Sequence, residues 1–264
     1  MGVRDMKRSM TLDENVDHIA FSRAMERVTL GERLSEGFSV YQESYVHKAV
    51  KLYFDPNEEH HEVPILGSVA DIFDGHAVTE VQTGGFAPLL PKLKKLVKSY
   101  PVHLVHPYPM ITHHRWQDTE TGEIMIPKRQ GQPKSLYSVA RDIYALREII
   151  PSDNLTVTVL AYECDEYRLL DGYGKDKKRR ATLLGKIPTR LLGSVSFASR
   201  EDYSAFIPDA LPIEFTATEY LRLIKSRSRY DTMAIKLLSH LGFLGEIGKR
   251  GRAKLYGITY EENK

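Results

Sequence analysis

The run HEVPILGSVADIFDGHAVTEVQT (residues 61–83) holds three short segments rich in valine and isoleucine. They are residues 61–66, 68–73 and 77–83, separated by Gly67 and by Asp74-Gly75. β-Branched residues fit a pleated surface, and Asp-Gly is a strong tight-turn signal, so the run predicts a three-stranded meander. Upstream, Val46, Val50 and Phe54 recur at helical spacing before Asp55-Pro56, which predicts a helix from Val40 that stops ahead of its proline. Downstream, Leu89, Leu93, Leu96 and Val97 predict a second helix, and Val102 to His106 a further strand. The order is helix, three strands, helix, strand.

Three polar residues stand inside this meander. Asp71 lies on the second strand, and Glu80 and Gln82 share one face of the third by the period of two. The Asp74-Gly75 turn returns the third strand beside the second, so the Asp71 and Glu80 carboxylates are expected to meet. Two hard oxygen donors suit Mg²⁺ or Mn²⁺, and the Val81 carbonyl could add a ligand. A divalent ion held there would stabilise the charge that develops when a phosphodiester is cleaved and would activate water. Glu43 and His47, four residues apart on the preceding helix, face the same way and either could join the site, with Glu62 a weaker candidate.

These residues and their surroundings resemble the PD-(D/E)xK nucleases, whose restriction-endonuclease-like core runs helix, three strands, helix, strand. The resemblance implies an α/β (α+β) fold, Asp71 as the first acid, Glu80 as the second, and Gln82 in the place of the motif lysine. Some restriction enzymes of that superfamily also carry glutamine there. A neutral amide supplies no positive charge, so the water-activating group is left open. The chain also looks like an uncharacterised prokaryotic family marked by HEVPILGSVADI, TEVQT and KLKKL.

The remainder of the chain divides around this core. Residues 1–35 form a polar N-terminal arm, 36–207 the nuclease domain and 208–264 a C-terminal module entered through the proline-containing linker PDALPIE. Within the core, a hairpin is expected at Thr121-Gly122, a helix over Leu136 to Leu146, a strand over Leu155 to Ala161, and a mobile basic loop over residues 171–190. The module opens with the capping signature Thr216-x-x-Glu219 and continues with helical spacing at Ala234, Leu237, Leu238 and Leu241 and a hairpin turning at Gly248-Lys249-Arg250-Gly251. It resembles a winged helix-turn-helix domain, which implies duplex DNA as partner. From Ile213 onward it carries ten Lys or Arg against six Asp or Glu.

Candidate phosphate contacts are Lys92 and Lys95 after the motif, Lys177, Lys178, Arg179 and Arg180 in the basic loop, and Arg227, Arg229, Lys236, Lys249, Arg250 and Arg252 in the module. The whole chain of 264 residues is nearly neutral at +2, so only local charge points to nucleic acid. One cysteine excludes an internal disulfide framework, no run of about 18 apolar residues occurs, and no signal-peptide pattern opens the sequence, from which a cytoplasmic protein is expected. Scattered histidines at irregular spacing define no transition-metal site. The expected function is a metal-dependent DNA endonuclease, acting alone or as a homodimer. The alternative is a DNA-binding regulator or structural protein on a nuclease fold that no longer cuts.

Overall fold

A computed structural model describes residues 9–34, 44–172, 181–226 and 228–259. The architecture is mixed α/β with two sheets. Helix α1 (His18–Leu34) is followed by α2 (Ser44–Phe54), which ends before Pro56 as expected. Strands β1 (His61–Ile65), β2 (Ser68–Phe73) and β3 (Val78–Val81) form the meander. Leu66 and Gly67 both take positive φ in the first turn. The second turn is closed by Asp74, whose Oδ1 accepts from the His76 and Ala77 amides at 2.8 Å each.

Helix α3 (Leu90–Leu96) carries the chain over to β4 (Val102–Gln117), which runs parallel to β3. A two-residue β5 (Ile124–Met125) folds back on the end of β4, and the short α4 (Ala140–Ile143), flanked by 3₁₀ turns, precedes β6 (Leu155–Leu169) and β7 (Thr182–Phe197). In the described residues the large sheet runs β1-β2-β3-β4-β6-β7, with β5 attached to β4. Its two faces bury different helices. Phe21 of α1 and Val46 and Val50 of α2 pack on Val81, Val105, Leu160 and Leu191. Leu93 and Leu96 of α3 and Ile143 of α4 pack on Val78, Leu104, Val157 and Phe197.

The C-terminal segment contributes β8 (Glu214–Thr216), α5 (Ala217–Leu223), α6 (Met233–His240), β9 (Leu244–Arg250) and β10 (Ala253–Ile258), with β10 central in the small sheet. The capping box forms as expected: Thr216 Oγ1 accepts from the Glu219 amide, and the Glu219 carboxylate accepts from the Thr216 amide.

Three expectations change. The segment 208–214 is not a free linker into a separate core. Leu211 is buried, and Phe215, Tyr220, Leu237 and Leu238 share one apolar cluster with Leu136, Val139, Ile143 and Phe206. The strands expected to end near His106 and Ala161 continue to Gln117 and Leu169, because each pairs in parallel with the other over this whole extension. The basic stretch 171–190 is only partly a loop, since Thr182 onward pairs with β6, while residues 173–180 lie outside the described residues.

Candidate active site

The β2–β3 ladder pairs Ile72 with Thr79 and Phe73 with Val78. Beyond these pairs a side chain takes over. Asp71 Oδ2 accepts from the Val81 amide at 2.7 Å and from His47 Nε2 of α2 at 3.1 Å. Burial pushes the Asp71 carboxyl up, but the His47 hydrogen bond, the Val81 amide and the Lys92 charge outweigh it and hold it below its ordinary value. Asp71 is therefore kept ionised and fixed in direction.

Glu80 is placed differently. It is 2% exposed, and its Oε2 accepts from Lys92 Nζ of α3 at 2.5 Å. The same ammonium donates to the Val69 carbonyl at 2.5 Å, so Lys92 bridges β2, β3 and α3. Glu80 Oε1 is buried and has no hydrogen-bond partner among the described residues. Burial, joined by repulsion from Asp71, raises the Glu80 carboxyl to about 7 despite the opposing pull of Lys92. An orphan buried oxygen on a carboxyl that is hard to ionise is an arrangement that a cation would relieve.

Gln82 continues past the end of β3. Its amide donates to Val105 O at 2.9 Å, and its carbonyl accepts from His106 Nδ1 at 2.6 Å. The side-chain Nε2 donates to Gly85 O at 3.2 Å. The carboxamide thus braces the Gly84-Gly85 turn, where an added Cβ at Gly85 would lie 3.4 Å from Asp142 Oδ1. The place expected for a cation in the motif is thus filled by an amide bound elsewhere, while the ammonium on Glu80 comes from α3.

Of the other candidates, Glu62 pairs with Lys51 of α2, whose side chain is only 7% exposed. Glu62 takes φ of +54°, an uncommon conformation for a residue with a side chain. Glu43 lies outside the described residues, as do Lys177, Lys178, Arg179, Arg180 and Arg227. Lys95, Arg229, Lys236, Lys249, Arg250 and Arg252 are exposed. Arg250 is engaged with Glu219 at 2.9 Å, and Arg229 lies over the Tyr230 ring. Among the described residues no group of three or more His, Cys, Asp or Glu side chains is gathered as a metal cage.

The contact between Lys92 and Glu80 carries no signal in the sequence, since twelve positions and a change of element separate them. His47 was legible through its spacing on α2. The donors present fit a hard divalent ion in part: two carboxylates, one with a free buried oxygen, leave the remaining positions to water and phosphate oxygens, as Mg²⁺ commonly arranges.

The profile of a family described as a domain of unknown function (DUF8091) matches residues 44–198, from α2 through β7. An uncharacterized protein of Treponema pallidum (strain Nichols) is 25% identical over 217 residues, covering 81% of this chain and 85% of its own length. No solved structure matches.

Proposed function

The chain belongs to the DUF8091 family, and from its site we propose a metal-dependent endonuclease that hydrolyses phosphodiester bonds of duplex DNA. The observation that carries this reading is the Asp71 and Glu80 pair, with Lys92 on one Glu80 oxygen and the other oxygen buried without a partner. The order α2, β1, β2, β3, α3, β4 supports a restriction-endonuclease-like core. The order strand, helix, helix, hairpin in residues 214–258 supports a winged-helix-like segment that reads the duplex.

In this reading Asp71 and Glu80 hold Mg²⁺ or Mn²⁺, which supplies Lewis-acid stabilisation of the phosphate when bound. His47 and the Val81 amide hold the Asp71 carboxylate in one orientation. Lys92 offers the positive charge near the acids that Gln82 cannot, and Gln82 shapes the Gly84-Gly85 turn beside them. Exposed Lys236, Lys249 and Arg252 would meet duplex phosphates. Two copies would be needed to cut both strands at one place, and the free, buried Cys164 suits a reducing cytoplasm. Among the described residues no helix is long and apolar enough to cross a membrane.

The test is conversion of supercoiled plasmid with Mg²⁺ or Mn²⁺ by wild type, Asp71→Ala and Glu80→Ala. Nicking or linearisation by wild type alone is expected. Equal cleavage by all three would remove the catalytic assignment. The engagement of Gln82 with Gly85 favours a second reading, a DNA-binding protein without turnover, for which duplex binding would persist and no divalent ion would bring cleavage.

A further inference from the structure

Past the β3 edge, β4, β6 and β7 carry a second polar cluster. The register sets His114 beside Glu166 and Trp116 beside Arg168, and Glu166 beside Lys186, so these side chains share one sheet face. Glu166 is 5% exposed and lies 2.7 Å from Arg168 Nε, 3.2 Å from His114 Nδ1 and 3.5 Å from Lys186 Nζ. One carboxylate therefore serves several cations.

Lys134 adds another. Its amide donates to Met110 O at 2.8 Å, which seats it beside β4, and its ammonium lies 5.4 Å from the Tyr108 ring centroid. Among the described residues no carboxylate is in ion-pair contact with it. Lys134 is exposed, yet the desolvation it meets beside β4 lowers its affinity for the proton, and the Lys186 charge pushes the same way. Two buried nitrogens on this face, Trp116 Nε1 and His114 Nδ1, have no hydrogen-bond partner among the described residues; the His114 contact with Glu166 is close but off the line of a hydrogen bond.

Among the described residues, Arg168 and Lys186 thus face Glu166, and Lys134, exposed beside β4, feels the charges of Lys186, Glu166 and Asp142, so three cations stand against two carboxylates at a half-dry surface. Like charges gathered there repel more strongly than in water unless an anion joins them. The opposite face is better balanced, with Glu163 holding His113 and Arg190, and Asp165 holding Arg115. A tetrahedral oxyanion with several acceptors matches mixed ammonium and guanidinium donors.

We infer that the face formed by Lys134, Lys186, Arg168 and His114 is a phosphate-binding site for the backbone of a polynucleotide. The choice of a polynucleotide rests on the nuclease reading, whereas the anion site rests on the charge excess alone. Glu166 keeps the cations in place before the phosphate arrives.

The experiment measures anisotropy of a labelled duplex of about 20 base pairs in EDTA, at several salt concentrations, so that cleavage plays no part. Wild type, Lys134→Gln, the double variant Lys134→Gln/Lys186→Gln and the opposite-face control Arg190→Gln are compared, each checked for a cooperative thermal transition. The double variant is expected to bind about tenfold more weakly, with a salt slope shallower by about 2, the single variant by about 1, and the control unchanged. A parallel thermal-shift measurement uses inorganic phosphate. Loss of a phosphate-induced shift with duplex binding intact would assign the site to free phosphate and overturn the backbone assignment. Unchanged duplex binding together with an unchanged phosphate response would overturn the site altogether. If wild type binds no duplex, the nuclease reading fails while the phosphate measurement still decides the anion site.

Discussion

Glu80 is held between opposing demands: the strand pattern buries it on the α3 side, and the chemistry of a carboxylate favours charge. With its folded value raised to about 7 from 4.5, the group prefers to be protonated in the folded protein. The Glu80 carboxyl costs nothing below about pH 4.5, where both folded and unfolded chains carry the proton, and its burial costs progressively more as pH rises from there to about 7. In EDTA, Glu80→Gln should therefore be more stable than wild type at pH 8, by up to about 3 kcal/mol less whatever Lys92 loses, and the two should converge near pH 4.5. Denaturant melts at several pH values read this directly; a gap independent of pH would contradict it. Asp71 carries the opposite sign, since its lowered value contributes stability that is lost as pH falls. At the same scale, Lys92 and Gln82 separate cleanly. Lys92→Gln is expected to lower plasmid cleavage at least about 100-fold, whereas Gln82→Ala lowers it less than about tenfold, an order that single-turnover rates would reveal or reverse.

Among the elements, β7 is an edge strand, and the N-terminal arm is what covers it. Asp13 and Ser194 exchange two backbone hydrogen bonds, at 2.8 and 2.9 Å, while Ser9 bonds the Ile207 carbonyl further along. Gly193 makes this approach possible: at φ +140°, a Cβ there would come within 2.6 Å of Asp13 O and 3.0 Å of Leu12 Cβ. Gly193→Ala is expected to cost on the order of 2 kcal/mol and to expose residues 9–16 to limited proteolysis. Protease resistance equal to wild type would show that the arm tolerates the methyl group. The helices tell a related story about function. α2 presents His47 to Asp71 and Lys51 to Glu62, four residues apart, so one helical face serves two acids.

For the molecule as a whole, the decisive feature is the common core of the two sheets. Tyr220 donates to Phe206 O at 2.9 Å, and α6 buries Ala234, Ile235, Leu237 and Leu238 in the cluster that also contains Val139, Ile143 and Leu146. A chain truncated after Asp209 would leave that cluster open to water. It should fail to fold cooperatively, and the full chain should unfold in one transition rather than two. Two separated calorimetric transitions would restore the picture of an independent module. The helix, three-strand, helix, strand order, the Asp74-Gly75 turn and the Thr216 capping box were legible because periodicity, turn chemistry and capping act within a few residues. The length of β4 was not, because prolines at 107 and 109 break the usual strand pattern and a long parallel partner, β6, sustains it. Residue identity and strand period were enough to say which acids stand in the meander and that Gln82 carries no charge. That Lys92 sits on Glu80, that His47 holds Asp71, and that the C-terminal segment completes the main core follows from how the elements pack. Those outcomes depend on which faces pack together, and packing joins residues whose separation along the chain leaves no periodic trace.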